Sequence, residues 1–238
     1  MIEWRDEGTL LGLRRHGEGQ AIVEVFTLAH GRHLGVVRGG GGRRLAPVLQ
    51  PGARLEVSWR ARLDEHLGAF SVEPLQTRAA LFGDARALAA LNAIVALLAY
   101  ALPERVEQEA LYRRTVSLLD RIEGEPGWEA DYARWELALL EGAGFGLDLS
   151  ACAVTGATEG LAYVSPRTGR AVAADAAGTW ADRLLPLPSL LLGGEGDAAQ
   201  AARALETTGH FLRRGLPPER GDRSLPPARQ RLIEILAR

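Results

Sequence analysis

Along the first 78 residues, apolar and polar positions alternate in short runs separated by turn signals, and no run keeps a helical period. The alternation predicts five strands, at 8–14, 20–29, 33–38, 54–60 and 69–75. In the fourth, Leu55, Val57 and Trp59 fall on one face and Arg54, Glu56, Ser58 and Arg60 on the other. Ala29-His30-Gly31-Arg32 predicts a tight hairpin joining the second strand to the third, with the glycine free to take positive φ. Five short strands whose edges must be closed or covered predict a small barrel of the OB type.

From residue 78 the chain turns to Ala, Leu and Glu, and the period becomes helical. Residues 86–100 are apolar nearly all round and predict a central buried helix ended by Pro103. A second helix is predicted over 104–121 and a third over 128–141, where Trp128, Tyr132 and Trp135 form a core stripe and Gly142 and Gly144 can cap the end. Gly156, Gly160, Pro166, Gly169 and Gly178 then interrupt the pattern, around a strand-like run at 161–164. Helices resume at 197–214 and 227–237. The reading is α+β: an OB-fold β-barrel over 1–78, then an α-helical domain over 79–238 with a small β-rich insert at 146–180.

Composition changes this picture in two ways. The 238 residues are 47% hydrophobic and 24% charged, which excludes a wholly disordered chain. The longest uncharged run, 87–103, contains Asn92 and falls short of the roughly 20 apolar residues that cross a bilayer. Residues 1–7 have no basic start and no apolar core, so the expected compartment is the cytoplasm. The net charge of −2 is unevenly spread: +2 over 1–78, −8 over 79–202 and +4 over 203–238. Within 30–62 there are seven arginines and one acid, Glu56. All 28 basic residues are Arg, a usage that fits a GC-rich genome and singles out no one of them.

Catalytic chemistry finds little support. The Gly39-Gly40-Gly41-Gly42 run between Arg38 and Arg43-Arg44 could approach an anion, but a chain without Lys cannot carry a Walker A loop. Gly194-Glu195-Gly196 lacks the βαβ setting of a dinucleotide fingerprint. His30 and His33 flank a hairpin without further ligands nearby, and Cys152, the only cysteine, has no basic partner in sequence. No enzyme is expected.

Nucleic acid gathers more of the features. An OB-fold holds oligonucleotides on the face of its second and third strands and on the loops joining strands one to two and four to five. Those elements carry Arg14, Arg15 and His16, then Arg32 and Arg38, then Arg60 and Arg62, with Arg43 and Arg44 after the glycine run. Arg213 and Arg214 are further candidates, although a basic pair at a helix C-terminus also serves the helix dipole. Phe26 and Trp59 could stack on bases, but Trp59 keeps the apolar register of its strand, and both are assigned to the barrel core. The competing reading is a protein-interaction adaptor whose barrel binds polypeptide and no nucleic acid.

Several segments stand out in order along the chain: Arg14-Arg15-His16-Gly17-Glu18, Val37-Arg38-Gly39-Gly40, Leu49-Gln50-Pro51-Gly52, Arg134-Trp135-Glu136-Leu137, Gly144-Phe145-Gly146-Leu147-Asp148-Leu149, Cys152-Ala153-Val154-Thr155-Gly156, Tyr163-Val164-Ser165-Pro166 and Leu225-Pro226-Pro227-Ala228-Arg229. In their order and spacing the chain resembles the RecO family of bacterial recombination mediators. The resemblance implies an OB-fold, a helical domain and a zinc-ribbon-like insert. It also implies binding of single- and double-stranded DNA, annealing of strands coated by single-strand-binding protein, loading of RecA with RecR, and a partner in that single-strand-binding protein's C-terminal tail. Many members of the family carry four zinc cysteines in the insert. Here only Cys152 falls where one would be expected, and Thr155, Val172 and Ala173 occupy the ground of others, so no cofactor and a metal-free insert are expected.

Overall fold

A computed structural model describes residues 1–124, 126–215 and 224–237. Arg220, Arg223 and Arg238, which contribute to the basic C-terminal stretch, lie outside the described residues. The chain packs as two compact units, Met1–Gly124 and Glu125–Arg238.

The first unit is built on five strands, β1 (Ile2–His16), β2 (Gln20–Thr27), β3 (Gly31–Arg38), β4 (Arg54–Ala61) and β5 (Ala69–Gln76). They close in the order β1-β2-β3-β5-β4, with β3 and β5 parallel and the other neighbours antiparallel. This is the five-stranded OB-like barrel that the alternation predicts. Leu10, Val23, Val25, Leu55, Val57 and Trp59 fill its interior, each fully buried. Phe26 is equally buried and meets Tyr112 edge to face, its ring centroid 5.5 Å away. Neither Phe26 nor Trp59 is available for stacking on a base.

The first strand begins six residues before its predicted start. Its N-terminal half pairs with β4, Trp4 opposite Trp59, and its C-terminal half pairs with β2, with a register shift between Leu10 and Gly12. One long bent strand thus serves two neighbours, as a bulge permits. Polar residues hide it from an alternation test: inward-facing Asp6 accepts hydrogen bonds from the Ala29 N–H (2.9 Å) and pairs with His30 Nδ1 (2.8 Å).

The hairpin between β2 and β3 turns at Gly31, with φ of 66°. A Cβ there would lie 2.0 Å from the Val106 carbonyl oxygen, because residues 104–106 run beside β3 and the Arg105 N–H bonds the Arg32 carbonyl at 2.8 Å. Gly31→Ala combines a left-handed conformation with a backbone clash and is expected to cost about 2–4 kcal/mol, read as a lower urea midpoint; an unchanged midpoint would contradict this packing.

The same contact corrects the second predicted helix. Helix α1 (Ala85–Ala101) forms as expected, capped by the Asp84 carboxylate, but α2 runs Glu109–Gly124 and not from 104. Arg105 takes φ of 61°, which a continuing helix cannot accommodate, and its guanidinium donates to the carbonyls of Asp64 and, at 2.9 Å, His66.

At one end of the barrel Trp4 stacks on His30 (centroids 3.9 Å apart) and packs against Trp59, His33 and Phe70. His33 is 2% exposed, and burial pushes its imidazole below the usual histidine range, with Arg105 and His30 adding to the shift. The unfolded chain therefore binds this proton more readily than the folded one. The contribution to stability is complete above the unfolded value of about 6.5 and is lost as pH falls through the lower folded value. An NMR titration should place the His33 transition below that of a free histidine; a transition at or above it would contradict the burial.

The second unit holds α3 (Glu129–Gly142), a three-stranded sheet of β6 (Leu161–Val164), β7 (Ala171–Ala173) and β8 (Leu185–Pro186) in the order β7-β6-β8, a single turn α4 (Ala174–Ala177), and helices α5 (Ala198–Gly215) and α6 (Pro227–Leu236). Trp128, Tyr132 and Trp135 are buried, as a core stripe requires. Glu136, fully buried on α3, accepts from Arg229 Nε (2.8 Å) and Nη2 (2.9 Å), from the Tyr132 hydroxyl (3.0 Å) and from the Thr208 hydroxyl. Arg229 also donates to the Leu205 carbonyl at 2.6 Å. One ion pair thereby ties α3, α5 and α6 together. Gly209 leaves room for it, since a Cβ there would sit 2.8 Å from the guanidinium.

Candidate nucleic-acid interface

The eleven arginines of residues 1–78 sort into two sets by their partners. Arg5 pairs with Glu56, Arg54 with Glu7, and Arg78, 1% exposed, with Asp120 (2.6 Å) and Glu123 (2.8 Å). Arg32 belongs with these. It is 6% exposed, pairs with Glu24 and, at 3.6 Å, with Glu104, and its Nε donates to the Leu102 carbonyl at 2.8 Å. Its inclusion among the DNA-facing residues is therefore corrected: the side chain fastens the 102–104 segment to β3 and presents no charge to a ligand.

Arg14, Arg15, Arg38, Arg43, Arg44, Arg60 and Arg62 form the other set. All are exposed, and none makes an ion pair among the described residues. The strand register explains how most of them gather. His16 stands opposite Gln20, which stands opposite Arg38, so these three form one row across β1, β2 and β3. Arg14 lies on the same face two residues back, and Arg15 on the other face beside Ala21 and Val37. The Gly41 N–H bonds the Gly19 carbonyl at 3.4 Å, which brings the glycine loop, and with it Arg43 and Arg44, to the β1–β2 hairpin.

Arg38, Arg44 and Arg60 line a groove of about 210 Å³ with Val37, Leu45 and Phe70. It opens where β3 and β5 meet through only two residue pairs, Val36 with Ala69 and Val37 with Phe70. Arg60 reaches it from β4, whose neighbour there is Ala69. Arg62 follows β4 in the next turn and does not line the groove. Glu18, in the β1–β2 turn, and Glu3, the cross-strand neighbour of Arg60, make no ion pair with these arginines among the described residues. Clustered unpaired guanidinia around an apolar floor form a fixed positive potential suited to phosphates.

Arg213 and Arg214 lie in the second unit, near the end of α5. Arg213 is exposed on a groove between α5 and α6, while Arg214 Nη1 donates to the carbonyls of Pro166 (2.6 Å) and Arg167 (2.9 Å).

In the insert, the Cys152 sulfur accepts from the backbone N–H groups of Val154 (3.4 Å) and Ala173 (3.3 Å), and it packs with Val172 and Ala177. The Thr155 hydroxyl, together with these N–H groups, holds the thiol down to about 7. One sulfur among N–H donors and methyl groups does not make the four-ligand set of a structural zinc site. Among the described residues no group of three His, Cys, Asp or Glu could hold a metal ion. No helix among them is long and apolar enough to cross a membrane.

The OB-like barrel and the helical unit with its small sheet define the class: a two-part α+β protein with an oligonucleotide-binding type of barrel at its N-terminus. Residues 1–78 match the family described as Recombination protein O N terminal, and residues 83–224 the one described as Recombination protein O C terminal. Relatives described as DNA repair protein RecO include one from Cereibacter sphaeroides at 60% identity, with all of both chains covered. Others are from Dinoroseobacter shibae at 56%, covering 100% of this chain and 99% of that one, and from Jannaschia sp. at 52%, covering 100% and 97%. The chain belongs to the RecO family of DNA repair proteins.

Proposed function

We propose that this protein is a recombination mediator that binds single- and double-stranded DNA through Arg14, Arg15, His16, Arg38, Arg43, Arg44, Arg60 and Arg62, promotes strand annealing and, with RecR, loads RecA on gapped DNA coated by single-strand-binding protein. The observation that carries the reading is the set of seven exposed arginines that make no ion pair among the described residues, three of them on one groove. Two complementary strands repel each other as polyanions. A surface that exchanges their counterions for guanidinia lowers that repulsion and holds the strands long enough to pair. The action is positional, so the protein does not act as an enzyme. It works in the cytoplasm, meets the single-strand-binding protein through that protein's C-terminal tail, and needs no cofactor, with a zinc-free insert held by packing around Cys152.

The test is annealing of two complementary labelled oligonucleotides, alone and coated with single-strand-binding protein, with and without RecR. The reading predicts stoichiometric acceleration that leaves the strands chemically unchanged. No acceleration together with no oligonucleotide binding at moderate salt would favour the adaptor reading and overturn this one. Elemental analysis of chelator-treated protein should find no zinc; near one equivalent would refute the metal-free insert.

A further inference from the structure

The second unit has a basic, aromatic hollow of its own. Phe145 follows α3, and its ring lies against Gly215, where a Cβ would meet it at 2.4 Å; the residue is nevertheless 42% exposed. With Leu147, Phe211 and Thr168 it lines a cavity of about 330 Å³, on which Arg167 and Arg214 also stand. Arg214 is held by two neutral carbonyls and by no carboxylate among the described residues, so its position is fixed without an ion pair there. Arg167 is exposed and makes no side-chain bond among the described residues. The nearby Asp148 is occupied by Arg170 at 3.3 Å. An exposed ring beside two guanidinia that make no ion pair among the described residues matches an unpaired base and its flanking phosphates.

We infer that this hollow, formed by Phe145, Arg167 and Arg214, is a second single-strand DNA site, separate from the barrel groove, so that one protein can hold two strands at once. The inference rests on the DNA-binding reading above. It supplies what annealing by a single chain needs, which is a seat for each strand. The charge complementarity lies in the cavity itself: among the described residues its charged lining groups are Arg167 and Arg214.

The experiment uses the full chain and a single-stranded oligonucleotide bearing 5-iodouracil, with crosslinked peptides mapped by mass spectrometry. Crosslinks are expected on the barrel and at Phe145, and the Phe145 crosslink should survive in Arg38→Glu/Arg44→Glu protein. Arg167→Glu, which alters a side chain that makes no bond among the described residues, should weaken that second site about 10-fold at 0.15 M salt, by the loss of two units of charge, and slow annealing while leaving barrel crosslinks unchanged. Crosslinks confined to the barrel, or wild-type annealing by Arg167→Glu protein, would overturn the inference and leave the DNA-binding reading standing. No oligonucleotide binding by the wild type would instead remove the reading on which it rests. Protection of the hollow by an acidic peptide, without any DNA crosslink there, would assign it to a protein partner and equally overturn the inference.

Discussion

Arg229→Met is expected to lower the stability of the second unit by about 3–5 kcal/mol, enough to drop its Tm by more than about 10 °C. The substitution removes the ionic partner of a fully buried carboxylate, leaving Glu136, among the described residues, with the Tyr132 and Thr208 hydroxyls. A lone buried charge is far costlier than the intact pair is favourable, so the loss reports the stranded Glu136 more than the worth of the bond. Glu136→Leu in the same chain should therefore recover at least half of it, with the Leu205 carbonyl and the two hydroxyls limiting the rest. Thermal unfolding followed by circular dichroism checks both. A double variant less stable than the single would contradict the account of this pair.

The second large effect concerns function. Arg38→Glu/Arg44→Glu should leave the barrel folded, because neither side chain makes an ion pair or hydrogen bond among the described residues. It changes the charge of the groove by four units. With single strands contributing about 0.7 per neutralised phosphate to the salt slope, and affinity at 1 M salt unchanged, binding at 0.15 M should fall about 200-fold. Arg32→Ala should behave in the opposite way. That residue pairs with Glu24 and Glu104 and holds the Leu102 carbonyl, so its loss should lower the unfolding midpoint while the salt slope of DNA binding stays as in the wild type. A two-residue charge reversal without effect on binding would remove the groove from the account.

The contrast between Arg32 and Arg38 shows where sequence reasoning ends. Both are arginines on β3, both sit in the basic window, and in a chain without Lys the residue type carries no discrimination. What separates them is whether a carboxylate from elsewhere arrives. Glu24 faces Arg32 across the hairpin and Glu104 comes from beyond α1, a juxtaposition that only the fold creates. The barrel was legible because its signals are local: alternation in β4, a glycine at the turn before β3, an apolar helix after it. The start of β1 was not, because Asp6 faces inward to receive His30 and so breaks the pattern that marks a strand. The start of α2 was displaced by Arg105, whose positive φ is imposed by contacts with Arg32, Asp64 and His66. Likewise, Phe145 and Gly215 are 70 positions apart, and nothing near either one announces that the ring will be left half in solvent beside Arg167.

In the proposed function, unpaired arginines of the barrel hold the phosphates of a DNA strand. The most direct test of that role is the salt dependence of single-strand binding, followed by fluorescence anisotropy with wild-type protein. If Arg14, Arg15, Arg38, Arg43, Arg44 and Arg60 each neutralise one phosphate, the logarithm of the association constant should fall with the logarithm of salt concentration at a slope of about −4. A slope near zero, or no binding at low salt, would contradict the account.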